Sequence, residues 1–354
     1  MTAKKKKMKS KKRIWLFLVL ILISVMVISS AIGWSFYKEL KHPNVSTNRE
    51  IFELNVPTGS NLNDLIVQLK AEDVVIDSGS FRLVANLRKF STVKPGKYFV
   101  QAGINNWDLV AMFRIGERHP VTLVVGSYRN RQDLVRRVSR KLELDSNTLG
   151  ALLEDPVFLR QYGLNAITST SVIIPNSYEF YWNTNATDFF ERMLKEYEKF
   201  WDDAKSRKAD SLGLTRLEVL TLASIIQEET RKTDEMNRIA GVYLNRLKKN
   251  WLLQADPTLK YAANDWTIRR VLRKHQKIDS PYNTYKYKGL PPSPICIAAI
   301  PAILAALNPE VHNYMYFCAK EDFSGYHNFA TNLREHNRNA RKFQAALNKK
   351  KIYR

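Results

Sequence analysis

The 354-residue sequence predicts an α+β protein with a single N-terminal transmembrane helix, a small α/β module and a larger mixed α+β domain that carries the chemistry. Three observations predict it. Residues 14–32 are a run of 19 without charge or proline, long enough to cross a bilayer as a helix. Residues 51–118 alternate strand and helix signals. Residues 215–231, TRLEVLTLASIIQEETR, read as an apolar helix that ends in carboxylates.

The first element is a basic tail, residues 1–13, with eight Lys or Arg and no acid. The transmembrane helix follows at 14–33. Basic residues before an apolar span predict a cytoplasmic N-terminus and an exported remainder. The membrane is then the inner (cytoplasmic) one, crossed once, with the remaining domains in the periplasm or extracytoplasmic space. A cleaved signal peptide is the alternative, with Ser29-Ser30-Ala31 as a small-residue cleavage site. The apolar run exceeds the usual h-region of about 7–15 residues, which favours a retained anchor. Trp34, Phe36 and Tyr37 suit an interfacial aromatic belt.

The net charge of +22 suggests nucleic acid at first sight. Setting the eight tail residues aside leaves 48 basic against 34 acidic residues, or +14. An exported, moderately basic domain without a nucleic-acid motif suits an anionic surface or cell-wall polymer instead. Cys296 and Cys318 are expected as free thiols. No CxxC or HExxH pattern occurs, so neither a metal nor another cofactor is expected.

Residues 34–50 read as a polar linker. In 51–118, IFELNV is a strand, and the helix after it shows Leu62, Leu65, Ile66 and Leu69 on one face. A helix over about 78–89, the short strand in VKPGKYFV and a capped helix in NNWDLVAMFRIG complete the region. This β-α-α-β order resembles a LysM-like module, which implies binding of N-acetylglucosamine polymers. A small α+β spacer is the plainer reading. Residues 119–206 form a mixed α/β connecting region: the strand PVTLVV, a helix in RQDLVRRVSRKL, a helical stretch near 146–162, an aromatic cluster (Tyr178, Phe180, Tyr181, Trp182) and a long helix starting at Ala186. Those aromatics are packing residues more often than sugar platforms.

The domain 207–350 holds the candidate chemistry. Thr215 and Glu218 form a T-x-x-E capping box that starts the helix. Leu222, Ile225, Ile226 and Glu229 follow at spacings of three and four, which places the Glu229 carboxyl on the buried stripe. Burial raises a carboxyl pKa and makes a general acid that works near neutral pH. Glu228 falls on a solvated side or the cleft rim.

Further along stand NRL (245–247), QADPT (254–258), YNTY (282–285) with GLPPSPI (289–295), and YFCAK with HNF and HN (316–337). Together with ASIIQEET (223–230) these motifs, in this order, resemble the YceG-like family of endolytic murein transglycosylases. The anchor and the LysM-like region extend the resemblance over nearly the whole chain. It implies a peptidoglycan lytic transglycosylase in which Glu229 is the single catalytic carboxylate. In relatives, a carboxylate aligns with Gln227, so that position is not essential. Ser293 follows the double proline where many relatives carry glycine.

The resemblance also implies the substrate: peptidoglycan glycan strands, cut between N-acetylmuramic acid and N-acetylglucosamine to leave 1,6-anhydro ends. The implied partners are peptidoglycan synthases of the elongation or division machinery. Gln254, Asn283 and Tyr285 are expected to bind substrate, and Tyr282 to bind or pack. Asp256 reads as a helix N-cap before Pro257, or as a second carboxylate in the substrate site. His327 and His336-Asn337 are expected at the cleft end, and Asn245-Arg246 as a buttress. Two other readings remain open: a hydrolytic muramidase using Glu229 with Asp256, and a membrane-anchored peptidoglycan-binding scaffold without catalysis.

Overall fold

The computed structural model describes residues 2–268 and 271–350. The chain divides into two compact units, Met1–Val121 with Tyr181–Asn183, and Thr122–Phe180 with Thr184–Arg354.

In the first unit, helix α1 (Thr2–Lys41) contains Ile14–Ser35, a segment long and apolar enough to cross a membrane (mean hydropathy 2.8). Its apolar side chains are uncovered by protein. Residues 34–50 are not the simple linker expected. The helix runs to Lys41, and Asn44 and Val45 are buried, with Val45 bridging Val75.

Strand β1 (Ile51–Val56), helices α2 (Leu62–Ala71) and α3 (Ser78–Leu87), strand β2 (Gly96–Gln101) and helix α4 (Asn106–Ile115) follow in the order the periodicity predicts. β1 and β2 pair antiparallel from Ile51–Gln101 to Val56–Gly96. Alternation then points Phe52, Leu54, Val56, Tyr98 and Val100 into one core. Each helix has a side-chain N-cap: Asn61 in a capping box with Asp64, then Asp77, then Asn105. Phe81, Tyr98 and Phe113 pack ring against ring at the centre.

In the second unit, β3 (Pro120–Val125) pairs with β4 (Asn176–Tyr181). Around them are α5 (Arg131–Ser139), α6 (Ser146–Leu152), α7 (Pro156–Arg160), α8 (Ala186–Phe200) and α9 (Asp203–Leu212). Tyr178 and Phe180 are buried and act as packing residues. The site-bearing part comprises α10 (Arg216–Glu229), α11 (Thr233–Lys248), α12 (Asp256–Ala262), α13 (Arg273–Gln276), α14 (Ile300–Leu307), the antiparallel pair β5 (Tyr316–Ala319) and β6 (His327–Ala330), and α15 (Leu333–Lys349).

Helix α10 is the axis of this part. Thr215 and Glu218 make the expected capping box. Burial is not confined to one stripe, because every residue from Val219 to Ile226 is buried. A helix apolar all round belongs at the centre of a core, and α11 and α14 pack on it. Its two buried hydroxyls are satisfied locally: Thr221 donates to the Leu217 carbonyl (2.8 Å) and Ser224 to that of Thr221 (2.7 Å). Ser224 Oγ also accepts the Ile295 N–H at 3.0 Å, which ties the proline-rich loop to the helix. On α11, Gly241 lies where a Cβ would collide with the Glu310 carbonyl and the His312 ring. Glycine alone permits that approach.

Leu222→Ala should destabilise the second unit by about 2–5 kcal/mol, measured as a lower urea midpoint for that unit.

Candidate active site

Glu229 is the last residue of α10, and Thr230 is the C-cap. Its carboxyl therefore sits at the negative end of the helix dipole, which disfavours ionisation. It lines a polar cleft of about 280 Å³ with Arg246, Gln254, Asp256, Tyr285, Phe317, Cys318, Ala319 and His327. Burial is the largest influence on the carboxyl and pushes its pKa up to about 7; the nearby Asp256 carboxylate adds to this. A hydrogen bond from Tyr243 and the charges of His327 and Arg246 act in the opposite direction. The result is an acid that can give and take a proton near neutral pH.

Tyr243 Oη donates to Glu229 Oε1 at 2.6 Å from the middle of α11. Burial and the neighbouring carboxylate hold its phenol well above the ordinary tyrosine range, so it remains a donor. Three residues further on, Arg246 is buried yet lines the cleft. Its Nε donates to the Met315 carbonyl at 2.8 Å and its Nη1 to the Leu253 carbonyl. Asn245 donates to the carbonyls of His312 (2.8 Å) and Tyr314 (3.0 Å). The pair buttresses the fold, and Arg246 also supplies cleft charge.

His327 enters the cleft from β6. Glu235, itself buried, accepts the His327 backbone N–H at 2.8 Å on one oxygen and approaches Nδ1 at 2.8 Å with the other. The ring lies edge-on to Phe317. His336 is elsewhere, stacked on Tyr316.

Gln254 and Asp256 enter through a tight turn. Gln254 has φ +49°, a left-handed conformation unusual for a residue with a side chain. Its N–H is held by the Thr284 carbonyl at 3.0 Å. Asp256 is not the N-cap expected: Ala255 caps α12, and Asp256 opens its first turn. Its carboxylate is free of capping and accepts the Tyr285 hydroxyl at 2.5 Å. Burial and that carboxylate raise the Tyr285 phenol well above its ordinary range.

Of the predicted site residues, the cleft gathers Glu229, Gln254, Asp256, Tyr285 and His327, and leaves out Tyr282 and Asn283. Asn283 is fully buried. Its amide donates to the Gln276 and Ile278 carbonyls (2.9 and 2.7 Å), and its oxygen accepts the Tyr285 N–H (3.0 Å). It builds the turn that presents Tyr285. Tyr282 packs on Tyr261, with ring centroids 4.6 Å apart, and shares a 2.6 Å hydrogen bond with Ser293. Ser293, the departure from the family pattern, is thereby accounted for as a buried hydroxyl partner. Gln227 accepts the Ala299 N–H at 3.3 Å, and Glu228 pairs with Arg129 at 3.3 Å. Both cysteines are free.

Residues 54–342 match the model of the YceG-like family. The chain belongs to that family. This YceG-like chain is 30% identical over 343 residues to a Bacillus subtilis (strain 168) protein named endolytic murein transglycosylase, covering 90% of the chain and 92% of the relative. A Streptococcus pneumoniae serotype 2 protein of the same name is 24% identical over 341 residues, covering 87% of the chain and 61% of the relative. The crystal structure of a YceG-like protein from Listeria monocytogenes matches with a TM-score of 0.55 at 26% identity, covering 82% of this chain and 98% of that one.

Reading the sequence missed Tyr243, Glu235 and Cys318. Tyr243 stands on α11 and Glu229 on α10, so no spacing within one helix links them, and Glu235 stands 92 from His327. For Glu235 a signal existed: an acid among the apolar residues Met236, Ile239 and Ala240 of an amphipathic helix needs a partner.

Tyr243→Phe should raise the Glu229 pKa above about 7, because the phenol favours the ionised form; Asp256→Asn should lower it. The Glu229 carboxyl carbon, followed by NMR through a pH titration, reports both. The same shift has a stability consequence. The folded pKa is about 7 against 4.5 for an ordinary glutamate, so full stability holds below about 4.5, falls as pH rises toward 7, and then levels off. Glu229→Gln should therefore stabilise the protein by up to about 3 kcal/mol at pH 8 and by nothing below pH 4.5, measured by urea unfolding at both.

Proposed function

We propose that this protein is a membrane-anchored endolytic murein transglycosylase that cuts the bond between N-acetylmuramic acid and N-acetylglucosamine and leaves 1,6-anhydro-muramyl ends. The observation that carries this reading is Glu229, a carboxyl held near pKa 7 at the end of a buried helix in a polar cleft. The names of the relatives support it.

In the reaction, protonated Glu229 donates to the glycosidic oxygen as the bond to the muramic anomeric carbon breaks. The C6 hydroxyl of the same muramic residue attacks that carbon, and the Glu229 carboxylate takes the hydroxyl proton. The nucleophile belongs to the substrate, so its effective concentration replaces a positioned water. A glycosidase that uses water needs a second carboxylate for that step. Tyr243 steadies the carboxylate between the two transfers. Gln254, Asp256, Tyr285, Arg246 and His327 offer hydrogen bonds to the hydroxyls and amides of the sugars. Tyr282 and Asn283 support the wall that presents them.

Ile14–Ser35 anchors the chain, with the basic tail on the cytoplasmic side and the cleft outside. That placement brings the cleft to nascent strands beside the synthases that make them, and cutting there ends elongation. The β1-α2-α3-β2 segment acts as a LysM-like glycan holder. Its order of elements supports this.

The test is mass spectrometry of nascent, uncrosslinked strands incubated with the full chain in detergent. New ends one water lighter than reducing muramic acid are expected, with a loss of about 10²–10⁴-fold in rate for Glu229→Gln. Reducing ends instead would overturn the transglycosylase reading in favour of hydrolysis by Glu229 with Asp256, which shares the cleft.

A further inference from the structure

A second cavity in the same unit, about 450 Å³, shares no lining residue with the catalytic cleft. Its walls include Arg129, Arg131, Tyr261, Trp266, Tyr282 and Ile167. Among the described residues, none that lines it is acidic. Two arginines line it. Arg131 gives Nη1 to Glu154 and Nη2 to the Ala166 carbonyl, while its Nε is buried with no acceptor. Arg129 holds Glu228 through Nε and Nη2 at 3.5 and 3.3 Å, longer than a firm charged pair. Among the described residues, no hydrogen bond engages its Nη1.

Three of the aromatic walls are already engaged. Arg129 covers Trp266 at 4.8 Å, and Tyr282 is engaged by Tyr261 and Ser293. Of the aromatic walls, Tyr128 alone has its ring without such a contact among the described residues, and the two guanidinium groups supply the charge. Two arginines on a wall without an acidic residue give the cavity cationic character, so it favours a ligand that brings an anion. Guanidinium forks fit planar carboxylates, and the apolar part of the wall suits small aliphatic side chains. Adjacent residues of α10 connect the two places: Glu228 faces Arg129, and Glu229 faces the cleft.

We propose that this cavity is a subsite for the carboxylate of a peptide carried by the substrate strand. The assignment rests on the peptidoglycan reading above. It makes the enzyme selective for strands whose peptides keep their free carboxylates.

Calorimetry on the full chain in detergent tests it without catalysis, using a synthetic alanine-terminated stem pentapeptide, its C-terminal carboxamide and inorganic diphosphate. The free acid should bind at least ten-fold more tightly than the carboxamide, and Arg129→Gln and Arg131→Gln should each lose that margin. Arg129 is half-exposed, so its variant should keep the wild-type melting temperature and stand if Arg131→Gln unfolds. In turnover, converting strand carboxylates to carboxamides should raise the wild-type KM about ten-fold and leave the KM of Arg129→Gln unmoved. Equal binding of acid and carboxamide, no binding of either, or tighter binding of diphosphate would each overturn the carboxylate assignment. Peptide binding at the cavity with no new strand ends from wild type would support the subsite and sink the transglycosylase reading instead.

Discussion

Everything in the second unit is arranged around the cost of placing one carboxyl at the end of a buried helix. Apolar burial and the helix C-terminus both oppose charge on Glu229. Without compensation the group would remain protonated and could not take a proton back. Tyr243, Arg246 and His327 bring the balance to about 7. The compensation cannot come from α10, whose neighbouring turns are filled by core side chains. It comes from α11 and β6, so the packing of those elements sets the acidity.

That dependence explains the heavy bracing of the residues around Glu229. Arg246 can carry charge into the cleft only because carbonyls of Met315 and Leu253 take its hydrogen bonds; an unpaired buried guanidinium would be costly. Both oxygens of Glu235 engage His327, which fixes the ring's position and directs its Nδ1 toward Glu235. The close approach at Gly241 sets the α11 segment that carries Tyr243 and Arg246. A larger residue there would move the groups that tune Glu229 without touching it.

The elements were largely legible because each has a local cause. Capping residues and period-3.6 or period-2 patterns marked β1 through α4, the capping box started α10, and spacing put Glu229 on the core side. The site was legible only where a motif residue also faces the cleft. Asn283 and Tyr285 of YNTY read alike as substrate contacts, yet backbone geometry turns Asn283 inward and brings Tyr285 to the cleft, and composition carries no trace of that choice. Asp256 looked like a cap because Asp-Pro usually is one. The turn set by Gln254 shifts the helix start by one residue and releases the carboxylate. Tyr243 and Glu235 act across folded distance, which sequence spacing does not encode. On α10, spacing marked a single buried stripe, whereas continuous burial also takes in Thr221 and Ser224, whose hydroxyls are satisfied by backbone carbonyls.

The last turn of α10 shows how much a helix can do with three consecutive side chains. Successive residues on a helix point about 100° apart. Gln227 therefore reaches the backbone of the Ala299 segment, Glu228 reaches Arg129 and Glu229 opens into the cleft. The first holds the loop before α14, the second pairs with Arg129, and the third is the proposed acid. Inserting or deleting one residue in α10 would rotate all three assignments together and aim Glu229 at a protein wall. The capping box at Thr215 and the proline-rich loop tied to Ser224 both fix that register. The remote start of the helix is in this sense part of the cleft, because it decides which of two adjacent glutamates opens into it.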